Sequence, residues 1–378
     1  MKKVTMILIF VIILSALPVE AGFSLKYQLD KHKENIGYNL QIDRRLLSIP
    51  EFHVRGIYVT GWVAGTRERM DKLIDFVSDS VLNSMVIDIK DELGYLSYNS
   101  EVELAREIGA NRNKVRDIEG LLQELNNRGI YTIGRIVVFK DAILARGKKE
   151  LALTLENSDT DESTKSRDWV NPSDREVWEY NVEIAKEALK LGFNEIQIDY
   201  IRYPALAASP WNAVLENKMT QSKIIGEFLK YMKLQLAEYN RPLSIDVFGL
   251  TTSVDNDLGI GQNFNELATI VDIISPMLYP SHYSNGVFGI NVPESEPYRV
   301  VYRSLEDAIR KIGNTKKTTI RPWLQDFSLQ HGYSSKEVRE QLKAAEKLGI
   351  KEWLFWNPRS RYTEEFFLNF SLDDDGYL

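Results

Sequence analysis

Two acids in this chain stand where a packed strand would ordinarily carry aliphatic side chains. In "FNEIQIDYIRYP" (Phe193–Pro204), Ile196 and Ile198 alternate with Glu195, Gln197 and Asp199, and Arg202 follows at once. In "PLSIDVFG" (Pro242–Gly249), Ile245 and Val247 alternate with Ser244 and Asp246. Successive strand side chains point to opposite faces, so each segment has one apolar face and one face bearing an acid. Two carboxyl groups brought to one pocket can divide acid–base work, one ionised and the other protonated. Such a pair is the equipment of glycosidic-bond hydrolysis. Asp199 precedes Arg202 and can lie near Arg135, and cations favour an ionised carboxyl, so it reads as nucleophile or general base. Asp246 has Phe248 two residues on, and apolar surroundings favour the protonated form, so it reads as general acid. On sequence alone the two roles are exchangeable.

Other chemistries fit less well. The four histidines are His32, His53, His282 and His331, none inside an expected strand, so no His-rich metal site is expected. Neither a G-x-S-x-G nor an H-E-x-x-H motif occurs. No cysteine is present, which excludes disulfides and thiolate ligands. No cofactor is expected. Asp88, Asp91 and Glu92 could serve as oxygen ligands of a Mg²⁺-dependent lyase or enolase-like enzyme, but acids at strand ends often only cap the next helix. A non-catalytic carbohydrate-binding barrel is the remaining alternative.

Positioning these residues requires a scaffold. Short apolar segments ending in polar residues recur at Gly56–Trp62, Ser84–Asp91, Tyr131–Phe139, Glu195–Ile201, Pro242–Gly249, Asp272–Pro280, Thr319–Phe327 and Glu352–Pro358. Helical periods lie between them; "SSKEVREQLKAAEKLG" (Ser334–Gly349) opens on a serine cap and closes on glycine. Strands alternating with helices imply a parallel α/β fold, and about eight repeats imply a (β/α)₈ TIM-type barrel. A doubly wound sheet would be expected to carry G-x-G-x-x-G after its first strand, and "TGWVAGTRERM" lacks it. The long interruptions at Lys140–Pro172, Pro204–Met219 and Ser281–Pro297 all follow strands, on the face where barrel active sites lie.

If the apolar parity of each strand faces the helices, the other parity faces the barrel axis. This directs Tyr58 and Trp62, Asp88 and Lys90, Arg135, Gln197 and Asp199, and Asp246 inward. Tyr279, Arg321, Trp323, Gln325 and Asn357 follow from the later strands. Arg202 and His282 lie in the loops just beyond. An interior built only for stability would hold Val, Ile and Leu, and buried polar groups are costly unless paired or wet. The expected site is therefore catalytic Asp199 and Asp246, with the other residues binding substrate and tryptophans supplying faces for sugar rings.

Composition sets the context. The net charge is −7 and no Lys/Arg block occurs, which argues against nucleic-acid partners. Met1-Lys2-Lys3, an apolar run from Val4 to Pro18 and the small residues of "VEAG" match a secretory leader. The expectation is a signal peptide at 1–21, an N-terminal arm at 22–50 and a barrel over 51–378. The protein would then be exported to a periplasmic or extracellular location, with no stable membrane span once the leader is removed.

Several of these segments also resemble a family. "RDWVNPSDREVWEYNVEIAKEALKLGFNEIQIDYIRYP" (Arg167–Pro204) is similar to the signature of a domain-of-unknown-function family of glycosyl hydrolases. "GIYVTGW", "SMVIDIKDELGYLSY", "IVVFKD", "ISPMLYPSHY", "RPWLQDF" and "LFWNP" extend the likeness over about Val54 to Asn369. The resemblance implies a TIM-type barrel acting on a polysaccharide or oligosaccharide. Asp199 matches the aspartate of the family's "IQxDYIRFP" pattern and Asp88 that of "xVIDxKD". The chain departs from the pattern at Tyr203, where phenylalanine is more usual, and in the "ALAASPWNAVLENK" insert after Pro204.

Overall fold

The computed structural model describes residues 52–157, 162–205, 211–213, 219–313 and 318–370. The expected leader and N-terminal arm lie outside the described residues. Parallel strands β1 (Arg55–Val59), β2 (Ser84–Lys90) and β3 (Tyr131–Val137) form the first part of a closed sheet. It continues through β6 (Glu195–Asp199), β8 (Leu243–Phe248) and β9 (Ile273–Met277). The seventh position is shared by β10 (Thr319–Ile320) and β11 (Trp323–Gln325), and β12 (Trp353–Trp356) closes the ring back onto β1. Pro322 accounts for the break in the seventh position, because it has no N–H to give to a ladder. The expected (β/α)₈ barrel is the observed fold.

Side-chain alternation divides the apolar residues into two groups. Ile57, Val59, Met85, Ile87, Ile89, Ile136, Ile196, Ile198, Ile245 and Val247 face outward into one continuous core shared with the helices. Each such buried aliphatic contributes about 1.5–3 kcal/mol. A second cluster of Val54, Tyr58, Val86, Tyr131, Ile133, Tyr279, Trp323 and Leu354 lines the interior. The helices are α1 (Arg67–Ser78), α2 (Ile118–Asn127), α3 (Arg175–Leu191), α4 (Gln221–Gln235), α5 (Pro297–Ile312) and α6 (Ser335–Lys347). Ser334 and Glu337 form a reciprocal capping box at the start of α6. α3 ends on Gly192 at φ 115°, a conformation that costs glycine no Cβ clash.

Three expectations about positions need correction. Strand β1 ends at Val59, and Gly61–Ala64 forms a helical turn whose start is capped by the Thr60 hydroxyl. Trp62 therefore leaves the strand and is 66% exposed instead of facing the axis. The ladder between β2 and β3 shifts register between Asp88 and Lys90, and Lys90 comes to lie beside outward-facing Ile136. That bulge turns Lys90 away from the axis. Its ammonium donates to Asp141 Oδ2 at 2.8 Å and to Asn181 Oδ1 of α3 at 2.7 Å, fully buried. Finally, the Lys140–Pro172 interruption is not wholly loop. β4 (Ala152–Asn157) and β5 (Glu162–Val170) pair antiparallel, and the short β7 (Trp211–Ala213) joins β4 to complete a separate three-stranded sheet.

Candidate active site

Strand register explains how the acids meet. β6 and β8 pair Gln197 with Ser244 and Ile198 with Ile245, so Asp199 and Asp246 occupy the next neighbouring positions toward the C-terminal ends. Both belong to the inward parity. Arg135 lies level with Gln197 and beside Asp88, and its long side chain reaches past Gln197 to Asp199. Nε and Nη2 donate to Asp199 Oδ2 at 3.0 and 2.6 Å, while Nη1 donates to Asp88 Oδ1 at 2.6 Å. Tyr58 donates its hydroxyl to Asp88 Oδ2 at 2.5 Å. One guanidinium thus bridges two carboxylates from strands on either side of it.

Asp199 is further held by its own backbone turn. Tyr200 has φ 51°, in the left-handed region, and its N–H donates to Asp199 Oδ1 at 2.6 Å. Such a conformation outside glycine costs of order 1–3 kcal/mol and is retained where the surroundings over-determine it. Every hydrogen bond to Asp199 among the described residues comes from an N–H donor.

Asp246 has a different environment. Trp323 Nε1 donates to its Oδ1 at 2.7 Å, and Oδ2 accepts no hydrogen bond from the described residues. Its carboxyl is pushed well above the ordinary range, first by burial and then by the charge of Asp199, against weaker opposition from Arg135 and Trp323. Asp88 is raised too, chiefly by burial, while Arg135 and Tyr58 counter the shift. The phenol of Tyr279 is pushed up by burial and then by the charges of Asp246 and Asp199. Apolar surroundings were the expected cause of the Asp246 shift; burial acts in that sense, and the charge of Asp199 adds to it.

An aromatic rim surrounds the acids. Tyr58 and Trp356 stack with ring centroids 3.8 Å apart, and the Arg135 guanidinium lies 5.1 Å from the Trp356 ring. The Tyr279 ring packs edge-on against His282 at 5.5 Å and Phe327 at 5.8 Å. Trp169, Tyr200, Phe248, Phe327 and Trp356 are all half-buried, as ring-binding surfaces at a mouth would be. Trp356 is one of the strand-end tryptophans expected to suit sugar faces, and its parity agrees: Phe355 faces the helices and Trp356 faces the axis.

The other expected residues take the following positions. Asn357 donates to the Asp326 carbonyl and accepts from Arg359 N–H, so it shapes the loop after β12 instead of facing the interior. Gln325 is fully buried; it accepts from Ser281 N–H and donates to the Phe327 carbonyl, tying two mouth loops together. Gln197 lies beneath the acids, with its amide 3.4 Å from Ser275 Oγ. Arg202 sits at the rim, over the rings of Phe248, Trp169 and Tyr200 at 4.7, 4.9 and 5.1 Å.

The candidate Mg²⁺ ligands diverge. Asp88 turns inward to Arg135, whereas Asp91 accepts from Leu93 and Tyr95 N–H and from the Lys114 ammonium. Among the described residues, no three His, Asp or Glu side chains converge as a metal site.

Comparisons with solved structures agree with the architecture. The chain is similar to the PgaB (BpsB) glycoside hydrolase domain from Bordetella bronchiseptica, at TM-score 0.61 and 11% identity, covering 82% of this chain and 95% of that one. It is similar to the endo-beta-1,4-mannanase from Thermotoga petrophila, at TM-score 0.55 and 12% identity, covering 84% of this chain and 76% of that one. A hypothetical protein from Ruminiclostridium thermocellum is 33% identical over 54% of this chain and 98% of its own, at TM-score 0.44. No curated protein gives a significant match. At these identities the first two likenesses show the fold. The family model matching residues 56–362 spans nearly the whole barrel and both acids, and the chain belongs to the family described as "Putative glycosyl hydrolase domain".

Proposed function

We propose that this glycosidase cleaves a polysaccharide through Asp199 and Asp246 at the C-terminal mouth of the barrel. The carrying observation is the contrast within the pair. Asp199 is held by Arg135 and the Tyr200 N–H, while buried Asp246, facing that charge, favours its proton. Asp246 is assigned as general acid, giving its proton from Oδ2 to the departing glycosidic oxygen. Asp199 is assigned as nucleophile. Neighbouring places on adjacent strands, whose backbones lie about 4.8 Å apart, are compatible with the roughly 5–5.5 Å carboxyl spacing of retaining pairs. Arg135 orients Asp199 directly and is itself fixed by Asp88, which Tyr58 holds in turn; Trp323 orients Asp246. Trp169 and Trp356 offer apolar ring faces to sugar C–H patches. The leader expected from the sequence would put the substrate outside the cytoplasm.

The test is reducing-end release from a panel of polysaccharides by the wild type and by Asp199→Asn, with the product anomer followed by NMR. Release by wild type alone, with retained configuration, supports the assignment. Equal turnover by Asp199→Asn removes it, and inverted product removes the nucleophilic role.

A further inference from the structure

We infer that the substrate of this site carries a carboxylate, as a uronic-acid residue does, and that Arg202 with Lys140 recognises it. This rests on the glycosidase reading for its location and goes beyond it in naming the sugar class. Arg202 follows Asp199 by three residues, in the loop leaving β6. Its guanidinium lies 4.7 Å from the ring of Phe248, the inward position one step above Asp246. Trp169 and Tyr200 complete the cage. A guanidinium this enclosed loses hydration, and burial lowers its pKa. Among the described residues its single hydrogen bond is from Nη1 to the Tyr203 carbonyl at 3.0 Å, and no carboxylate pairs with it.

Asp199 does not explain Arg202, because Arg135 already binds it twice. Nor does stacking alone, since a neutral side chain could fill the same cage without the desolvation cost of a cation. Lys140 adds a second cation, its ammonium 5.2 Å from the Tyr200 ring on which Arg202 also lies. Glu92 is the rim carboxylate felt at Tyr200, and it is exposed. Two cations therefore flank one aromatic platform directly above the acids. A planar guanidinium with free N–H donors matches a carboxylate bidentately, and the aromatic cage keeps that fork oriented.

The experiment is affinity electrophoresis of the full protein in gels containing polygalacturonate, alginate or hyaluronan, each beside its carboxyl-reduced form, with a neutral glucan and mannan. Reducing ends are measured on the same polymers. Retardation by at least one uronate polymer, weakened about tenfold or more by carboxyl reduction and by Arg202→Gln, is the expected result. Arg202→Lys should recover part of that loss, and Lys140→Gln, outside the cage, provides a second variant if Arg202→Gln fails to fold. Retardation that is indifferent to carboxyl reduction, or seen only with neutral polymers, overturns the inference. So does the absence of retardation by every uronate polymer. Cleavage of a neutral polymer alone would sink carboxylate recognition and leave the glycosidase reading standing. Uronate binding without cleavage would do the reverse.

Discussion

Among the described residues, the barrel interior holds two buried charge clusters, one above the other, and they are built on opposite principles. In the lower one, Arg321 donates to Glu195 at 2.8 Å and to Glu352 at 2.9 Å, while Ser244 and Tyr131 also donate to Glu195. Arg321 is held charged by those carboxylates, and Glu352 stays below its ordinary range despite burial because Arg321 and His53 offset it. In the upper cluster Arg135 faces Asp88, Asp199 and Asp246 together, and pairs directly with the first two. The third acid is left with a tryptophan N–H and rises. A closed network stabilises one geometry; a network with a surplus acid holds a proton it can give away.

Substitutions at the two levels should therefore separate activity from stability. The largest effect expected is on turnover: Asp199→Asn should lose roughly 10³-fold or more in kcat while its melting curve stays near wild type. A variant with wild-type kcat would show that the upper cluster is structural like the lower one. Next, Arg321→Met should destabilise by about 3–5 kcal/mol, because it leaves Glu195 buried without its cation. The molecules that remain folded should turn over normally, measured as activity per folded fraction in a urea titration.

The third expectation concerns pH. A raised carboxyl in the folded state means that the stability tied to Asp246 is intact below the ordinary aspartate range. It is lost as pH rises toward the elevated value. Asp246→Asn should thus melt above wild type at pH 8 by a few degrees, with the difference vanishing near pH 4. Its activity should be severely reduced at both. A lower melting temperature at pH 8 would mean that the charged form is better accommodated than this geometry implies. The smallest effect is at the exposed rim: Trp62→Ala should raise KM by roughly two- to tenfold with kcat unchanged. No change in KM would exclude Trp62 from the substrate path.

Much of this was legible in the sequence. The alternation of Ile196 and Ile198 with Gln197 and Asp199 was enough to face the acid inward, and the repeat of strand and helix was enough for the barrel. Parity failed where backbone geometry, not side-chain pattern, decides direction. Lys90 left the axis through a bulge with no residue signature, and Trp62 left it because Thr60 caps a helical turn that the run "GIYVTGW" conceals. Asn357 is a different case: Leu354 and Trp356 face inward and Phe355 outward, so the same alternation already directs Asn357 away from the axis. Nor could one strand's sequence reveal that Arg135 would serve Asp88 and Asp199 at once. That depends on the relative register of three strands.

The central claim is that Asp199 raises its neighbour. The direct measurement is the carboxyl ¹³C titration of Asp246 in the wild type and in Asp199→Asn. The account predicts a midpoint well above the ordinary aspartate range in the wild type and a clear drop in the variant, where the negative charge is gone and Arg135 is less neutralised. An ordinary midpoint in the wild type, or one unmoved by the substitution, would contradict it.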